Sequence, residues 1–178
     1  MNGWNKFNDD YFLRYSEKPV KLKPYNPKQT EIANKYLIEI KRILGNRDAK
    51  LIIRGSTAFK IQGKGDIEVG VYPHNTDWEQ TVSLLTDVYG QPMNIEEDYV
   101  RFNQIYDGFD VEIILLKSHE AEVDLALTEY LLRNPAILKQ YEKVKQKYAF
   151  SKREYQIQKN IFLSNIISQI PDGEHSDV

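Results

Sequence analysis

The 178-residue chain contains no cysteine, which removes a disulfide framework, a thiolate zinc site and a cysteine nucleophile together. A reducing compartment suits such a composition, and a cytoplasmic location is expected. Histidine is scarce, with His74, His119 and His175 scattered along the chain. None has a second ligand at metal spacing, so no histidine metal site is expected. No apolar run approaches the roughly 20 residues that span a bilayer, and the opening MNGWNKFNDD lacks the apolar centre of a signal peptide. No membrane partner is expected. Charge of one sign is also lacking, since 24 Lys plus Arg stand against 26 Asp plus Glu, a formal net charge of -2. Any binding to nucleic acid must therefore be local rather than driven by a global field.

What is present has the balance of an ordinary globular protein, 41% hydrophobic and 28% charged, at a length that one folding unit can fill. Residues 1–19 are polar with scattered aromatics and no period, and are read as an N-terminal arm. VKLKP at 20–24 alternates like a short strand. Over residues 30–44, Ala33, Tyr36, Leu37, Ile40, Ile43 and Leu44 follow helical spacing, with Gly45 as the stop. KLIIR (50–54) reads as a buried strand, after which GSTAFKI turns sharply toward a helix start. DIEVGV (66–71) alternates with period two. Residues 76–89 open with the capping pattern Thr76-Asp77-Trp78-Glu79 and carry Trp78, Val82, Leu85 and Tyr89 on one stripe. YVRFNQIY and FDVEIILL, joined by Asp107-Gly108, form a hairpin signal. Beyond residue 117 the pattern is helical. One helix is expected over about 121–133, a second opening at Asn134-Pro135 and a third at the capping box Ser151-Lys152-Arg153-Glu154. The expected organisation is the arm, a core over 20–117, a helical region over 118–170 packed on it, and a tail over 171–178.

Chemistry concentrates in the acids of the strands. In a strand, residues i and i+2 share a face, so Asp66 and Glu68 present two carboxylates side by side while Ile67 and Val69 turn to the core. The second hairpin strand repeats the arrangement with Asp110 and Glu112, which offer a third oxygen ligand. Hard oxygen donors of this kind suit magnesium, with manganese as the alternative. Two such ions clamp the attacking and leaving oxygens of an in-line phosphoryl displacement, which is why three acids are wanted. Gly55 lets backbone approach a triphosphate, and Ser56 with the following amides donates to phosphate oxygens. Lys60 and Lys64 stand in the loop that would face the same phosphates. Singly, alternating acids mean a solvated sheet face and Gly-Ser an ordinary turn. The basic run Lys139, Lys143, Lys145, Lys147, Lys152 and Arg153, against the single acid Glu142, is first of all a solvated helix face, with RNA phosphates as the alternative partner.

VKLKPYNPK (20–28), IIRGSTAF (52–59), DIEVGV, and YLLRNPAILKQYEKVK (130–145) followed by Tyr155 and Lys159, together resemble successive landmarks of the GrpB family within the nucleotidyltransferase superfamily. The resemblance covers about residues 20–163. It implies an α+β fold, a small mixed sheet with a nucleotidyltransferase-like core flanked by helices and followed by a helical C-terminal region. It also implies that Tyr155 and Lys159 lie near the nucleotide. The chain departs from the family pattern in having Phe59-Lys60-Ile61-Gln62 and Lys64-Gly65 where a Val-Pro-Gly-Leu turn and a Lys-Pro pair are usual, and Asp110 and Glu112 where histidines are common. Those two acids restore a three-carboxylate arrangement. Asp66 and Glu68 are the expected metal ligands, with Glu112 first and Asp110 second as the third. The expected activity transfers a nucleoside monophosphate from a nucleoside triphosphate to an acceptor hydroxyl on a small molecule, an RNA or a protein. The alternative is an inactive nucleotide-binding or protein-interaction module on the same fold.

Overall fold

The computed structural model describes residues 9–170, so the proposed tail over 171–178, with His175, lies outside the described residues. In chain order the elements are α1 (Asp9–Leu13), α2 (Pro27–Leu44), β1 (Ala49–Arg54), α3 (Gly55–Phe59) and β2 (Ile67–Pro73). A 3-10 turn at Asn75–Asp77 leads into α4 (Trp78–Tyr89), then β3 (Asn94–Ile95), β4 (Tyr99–Tyr106) and β5 (Phe109–Leu116). The remainder is α5 (Ser118–Arg133), α6 (Pro135–Lys147) and α7 (Lys152–Ile167). Contacts divide the chain into two compact units, one over Pro24–Glu122 and the other formed by the segments on either side of it.

The central unit is built on a five-stranded sheet in the order β1-β2-β5-β4-β3. It is mixed because β2 and β5 run parallel while the other neighbours are antiparallel. One face is apolar: Ile67, Val69, Val71, Val100, Phe102, Val111, Ile113 and Leu115 are buried with Ile32, Ala33, Tyr36, Ile40 and Leu44 of α2 and with Trp78 and Leu85 of α4. Turning these side chains inward commits their neighbours at i±1 to the opposite face, which carries the acids. The hairpin turn has positive φ at both Asp107 (52°) and Gly108 (77°), as a two-residue turn of this hand requires. It thereby fixes the register that sets Asn103 opposite Glu112. This is the small mixed sheet flanked by helices expected from the sequence.

Three local readings need correction. The helix expected over 30–44 begins earlier, at Pro27, because Gln29 Oε1 accepts from the Asn26 backbone N–H at 2.9 Å and Asn26 Oδ1 accepts from the Lys28 N–H at 3.0 Å. The capping pattern at Thr76 does not start α4. A 3-10 turn takes its place, and the N-cap residue, Asp77, makes no side-chain capping bond. Residues 20–24 form no strand beyond an isolated bridge at Lys23, and the Val20 N–H donates to the Ala149 carbonyl at 2.7 Å.

The other unit is helical. α6 packs on α7, and α1 packs on α7 as well. The Lys152 and Arg153 N–H groups donate to the Lys18 and Ser16 carbonyls, at 2.8 and 3.1 Å. Ser151 caps α7 by accepting from the Glu154 N–H at 3.2 Å, and its hydroxyl donates to Glu17 at 2.5 Å. Asn134 does not cap α6 through its side chain, whose Nδ2 donates to the Tyr130 carbonyl at 2.7 Å. Among the described residues no helix is long and apolar enough to cross a membrane.

Candidate metal and nucleotide site

Glu68 and Glu112 are register partners on the two parallel strands, and Asp66 immediately precedes β2 on the same face. Each of the three offers a carboxylate oxygen within 4.8 Å of the others, and all three are half-buried. Asp110, two residues nearer the hairpin turn, is exposed and stands outside this cluster. The Asp66 backbone is held in place as well: its carbonyl accepts from Gln29 Nε2 and from the buried Thr57 hydroxyl, both at 3.4 Å.

Gly55 is where the sequence permits this arrangement. Its φ is +60°, and a Cβ built there would come within 2.8 Å of Glu68 Oε1 and 2.9 Å of Glu68 Cδ. The glycine therefore makes room for the Glu68 carboxylate as well as for a turn. Gly55→Ala should cost about 1–2 kcal/mol through the left-handed backbone alone, and it should also push Glu68 out of line with Glu112. Chemical denaturation of the variant with and without magnesium measures both effects. Unchanged stability and an unchanged metal response would show that the close approach has no consequence.

Lys64 and Arg101 both meet the acids. Lys64 Nζ lies 2.6 Å from Asp66 Oδ2, and Arg101 Nη1 lies 3.5 Å from Glu112 Oε1. Arg101 is further fixed by donating from Nη2 to Asn94 Oδ1 at 2.9 Å. Burial on its own would push the Lys64 ammonium down, but the charge and hydrogen bond of Asp66, followed by Glu68 and Glu112, hold it well above the ordinary lysine range. Burial raises the Glu112 carboxyl above the usual carboxylate value and Glu68 adds to this, while Lys64 and Arg101 draw it back without cancelling the rise.

Of the other expected residues, Ser56 is half-buried in α3 and Lys60, with φ 53°, is exposed at the C-terminal end of that helix. Tyr155 is buried and Lys159 half-buried on α7, and both belong to the helical unit. Sequence reasoning passed over Gln29, Thr57 and Arg101. Arg101 could have been found by counting back from the Asp107-Gly108 turn, which places it diagonally across from Glu112. Gln29 was visible as the second half of the Asn26 capping box.

The model of the GrpB protein family matches residues 19–169. The chain belongs to the GrpB family. No curated protein matches it. Among solved structures, this GrpB chain is similar to a Cid1 poly(U) polymerase with magnesium and 3'-dATP bound, at 15% identity and a TM-score of 0.42, covering 77% of this chain and 49% of that one. It is similar to Leishmania infantum polymerase beta in a ternary complex at 12% identity and a TM-score of 0.41, covering 78% and 56%. A CdnE cyclic dinucleotide synthase of Elizabethkingia meningoseptica, with GTP and Apcpp, aligns at 10% identity and a TM-score of 0.46, covering 94% and 79%. The GrpB chain spans about half the length of the first two.

Proposed function

We propose that this GrpB protein is a metal-dependent nucleotidyltransferase, and the observation that carries the reading is the meeting of Asp66, Glu68 and Glu112 within 4.8 Å on one sheet face. The donor set is all oxygen and the separation suits one or two hard divalent ions, so magnesium fits, with manganese as its substitute. When bound, such an ion supplies Lewis-acid polarisation of phosphoryl oxygens. Asp66, Glu68 and Glu112 would hold it. Ser56 and the amides after Gly55 would donate to the triphosphate, and Lys60 and Lys64 would neutralise phosphate charge. The acceptor oxygen forms a bond to the α-phosphorus as the bond to the bridging oxygen breaks. Pyrophosphate leaves, and the hydroxyl proton passes to a carboxylate of the site. Asp110, exposed on the same strand face, is placed in this reading beside the acceptor. Small-molecule, RNA and protein hydroxyls are all chemically admissible. A cytoplasmic setting belongs to this reading and is supported by the lack of cysteine.

A nucleotide-binding module without turnover is the second reading. It is favoured by the Lys64–Asp66 ion pair, which sets a cation of the chain itself against a proposed ligand.

Magnesium with a nucleoside triphosphate should stabilise the fold, by about 2.7 kcal/mol at a hundredfold excess over the dissociation constant. The double change Asp66→Asn with Glu68→Gln should remove that shift and leave the metal-free stability nearly unchanged. Loss of the half-exposed Lys64 pair is worth about 1 kcal/mol at most, and relief of repulsion among clustered carboxylates opposes it. Thermal denaturation with each of the four triphosphates is the measurement. A shift that survives the double change would mean that nucleotide binds elsewhere, and no shift in the wild type would remove the site altogether.

A further inference from the structure

Lys64 lies between Gly63 and Gly65 in the loop that joins α3 to β2. Its side chain is 41% exposed, whereas that of Asp66 is 11% exposed. The lysine therefore reaches from the solvent side onto a carboxylate that is nearly covered. An oxygen of that carboxylate belongs to the cluster that meets Glu68 and Glu112. A divalent cation placed there and the ammonium at 2.6 Å from Asp66 Oδ2 would repel each other at short range. Arg101 differs in its anchoring, because it projects from the paired strand β4 and is tied to Asn94 at 2.9 Å. Of the two, Lys64 is the one free to leave, on a glycine-flanked loop.

Resting on the metal-site reading above, we propose that Lys64 is a tethered counter-ion that competes with the divalent cation for Asp66 and, once displaced, is delivered to the phosphates of the nucleotide. Two consequences follow from charge alone. Metal without nucleotide binds weakly, because it must displace an ammonium that gains no new partner. Metal with nucleotide binds more tightly, because the displaced lysine finds phosphate oxygens. The coupling is reciprocal, so metal must strengthen nucleotide binding by the same factor. Lys64 is thus a positioning residue that makes metal and triphosphate bind together.

The test is a titration of Mn2+ alone, followed by the EPR signal of the free ion, in the wild type, Lys64→Met, Lys64→Arg and Asp66→Asn. Lys64→Met should tighten Mn2+ binding by roughly thirtyfold, the scale of one unit charge acting on a divalent ion across about 4 Å in a watery setting. Lys64→Arg should stay near the wild type, and Asp66→Asn should lose the site. Repeating the titration with a non-hydrolysable triphosphate should show strong mutual reinforcement in the wild type and much less in Lys64→Met. Lys64→Gln serves as a second neutral variant if the methionine protein folds poorly. Mn2+ binding that depends on Asp66 but is equal or weaker in both neutral variants would overturn the lysine's role and leave the metal site standing. Undiminished coupling in those variants would overturn its delivery to the phosphates. No Mn2+ binding in any protein would overturn both this inference and the metal site beneath it.

Discussion

Asp66→Asn should leave no measurable nucleotidyl transfer, whereas Ser56→Ala should retain roughly a hundredth of the wild-type rate, the scale of one lost oxyanion donor. The two residues differ in how many substitutes the site has for them. Ser56 offers one hydroxyl, and the backbone amides after Gly55 remain when it is gone. Asp66 has no substitute: Glu68 and Glu112 are the other members of the cluster, and the exposed Asp110 stands outside it. An amide in place of the carboxylate also removes the partner of Lys64, leaving that cation beside a site with one negative charge fewer. Glu112→Gln should match Asp66→Asn, and Asp110→Asn should lose much less. Release of labelled pyrophosphate from each of the four triphosphates, with a cell extract as the source of acceptors, follows all four variants. Equal and mild losses throughout would show that the acids are only a solvated sheet face.

The parts of this site that rest on local rules were legible in the sequence. The alternation of Asp66, Ile67, Glu68 and Val69 announces which side chains share a face, and the Asp107-Gly108 pair sets the hairpin register by itself. The parallel pairing that aligns Glu68 with Glu112 is different, because more than forty residues separate the two strands in the chain and no short-range pattern encodes it. The acids suggested that alignment only through the chemistry they would perform together. Pattern reading failed where two signals competed for one stretch. Pro27 could end a segment or open a helix, and the bonds between Asn26 and Gln29 decide for the helix. VKLKP alternates like a strand, yet Val20 bonds to Ala149, a partner far along the chain. Lys64 could be recognised as a loop cation near phosphates. Its grip on Asp66 could not, since that depends on how the loop between α3 and β2 closes.

Phe102→Ala should cost about 3–5 kcal/mol, a large share of the 5–15 kcal/mol by which such domains are stable. The residue is fully buried at the middle of β4, cross-strand from Ile113, with its ring 6.4 Å from that of Tyr89. Truncation leaves a cavity beneath the strand pair that carries the third carboxylate, because the next residue, Asn103, is the register partner of Glu112. Ile105, three residues on and 80% exposed, is the control, and Ile105→Ala should change stability by no more than about 0.5 kcal/mol. Urea denaturation should show a lower midpoint for Phe102→Ala with little change in slope, since the surface exposed on unfolding is nearly the same. Magnesium and triphosphate at a hundredfold excess should then return about 2.7 kcal/mol, which is less than the loss. A recovery of that size would mean that the variant still assembles the site and has lost only packing. No recovery, in a variant that remains folded, would mean that the apolar face positions Glu112, so that core and site stand or fall together. A loss below about 1 kcal/mol would be too small for a fully buried aromatic and would count against the β4–β5 register itself.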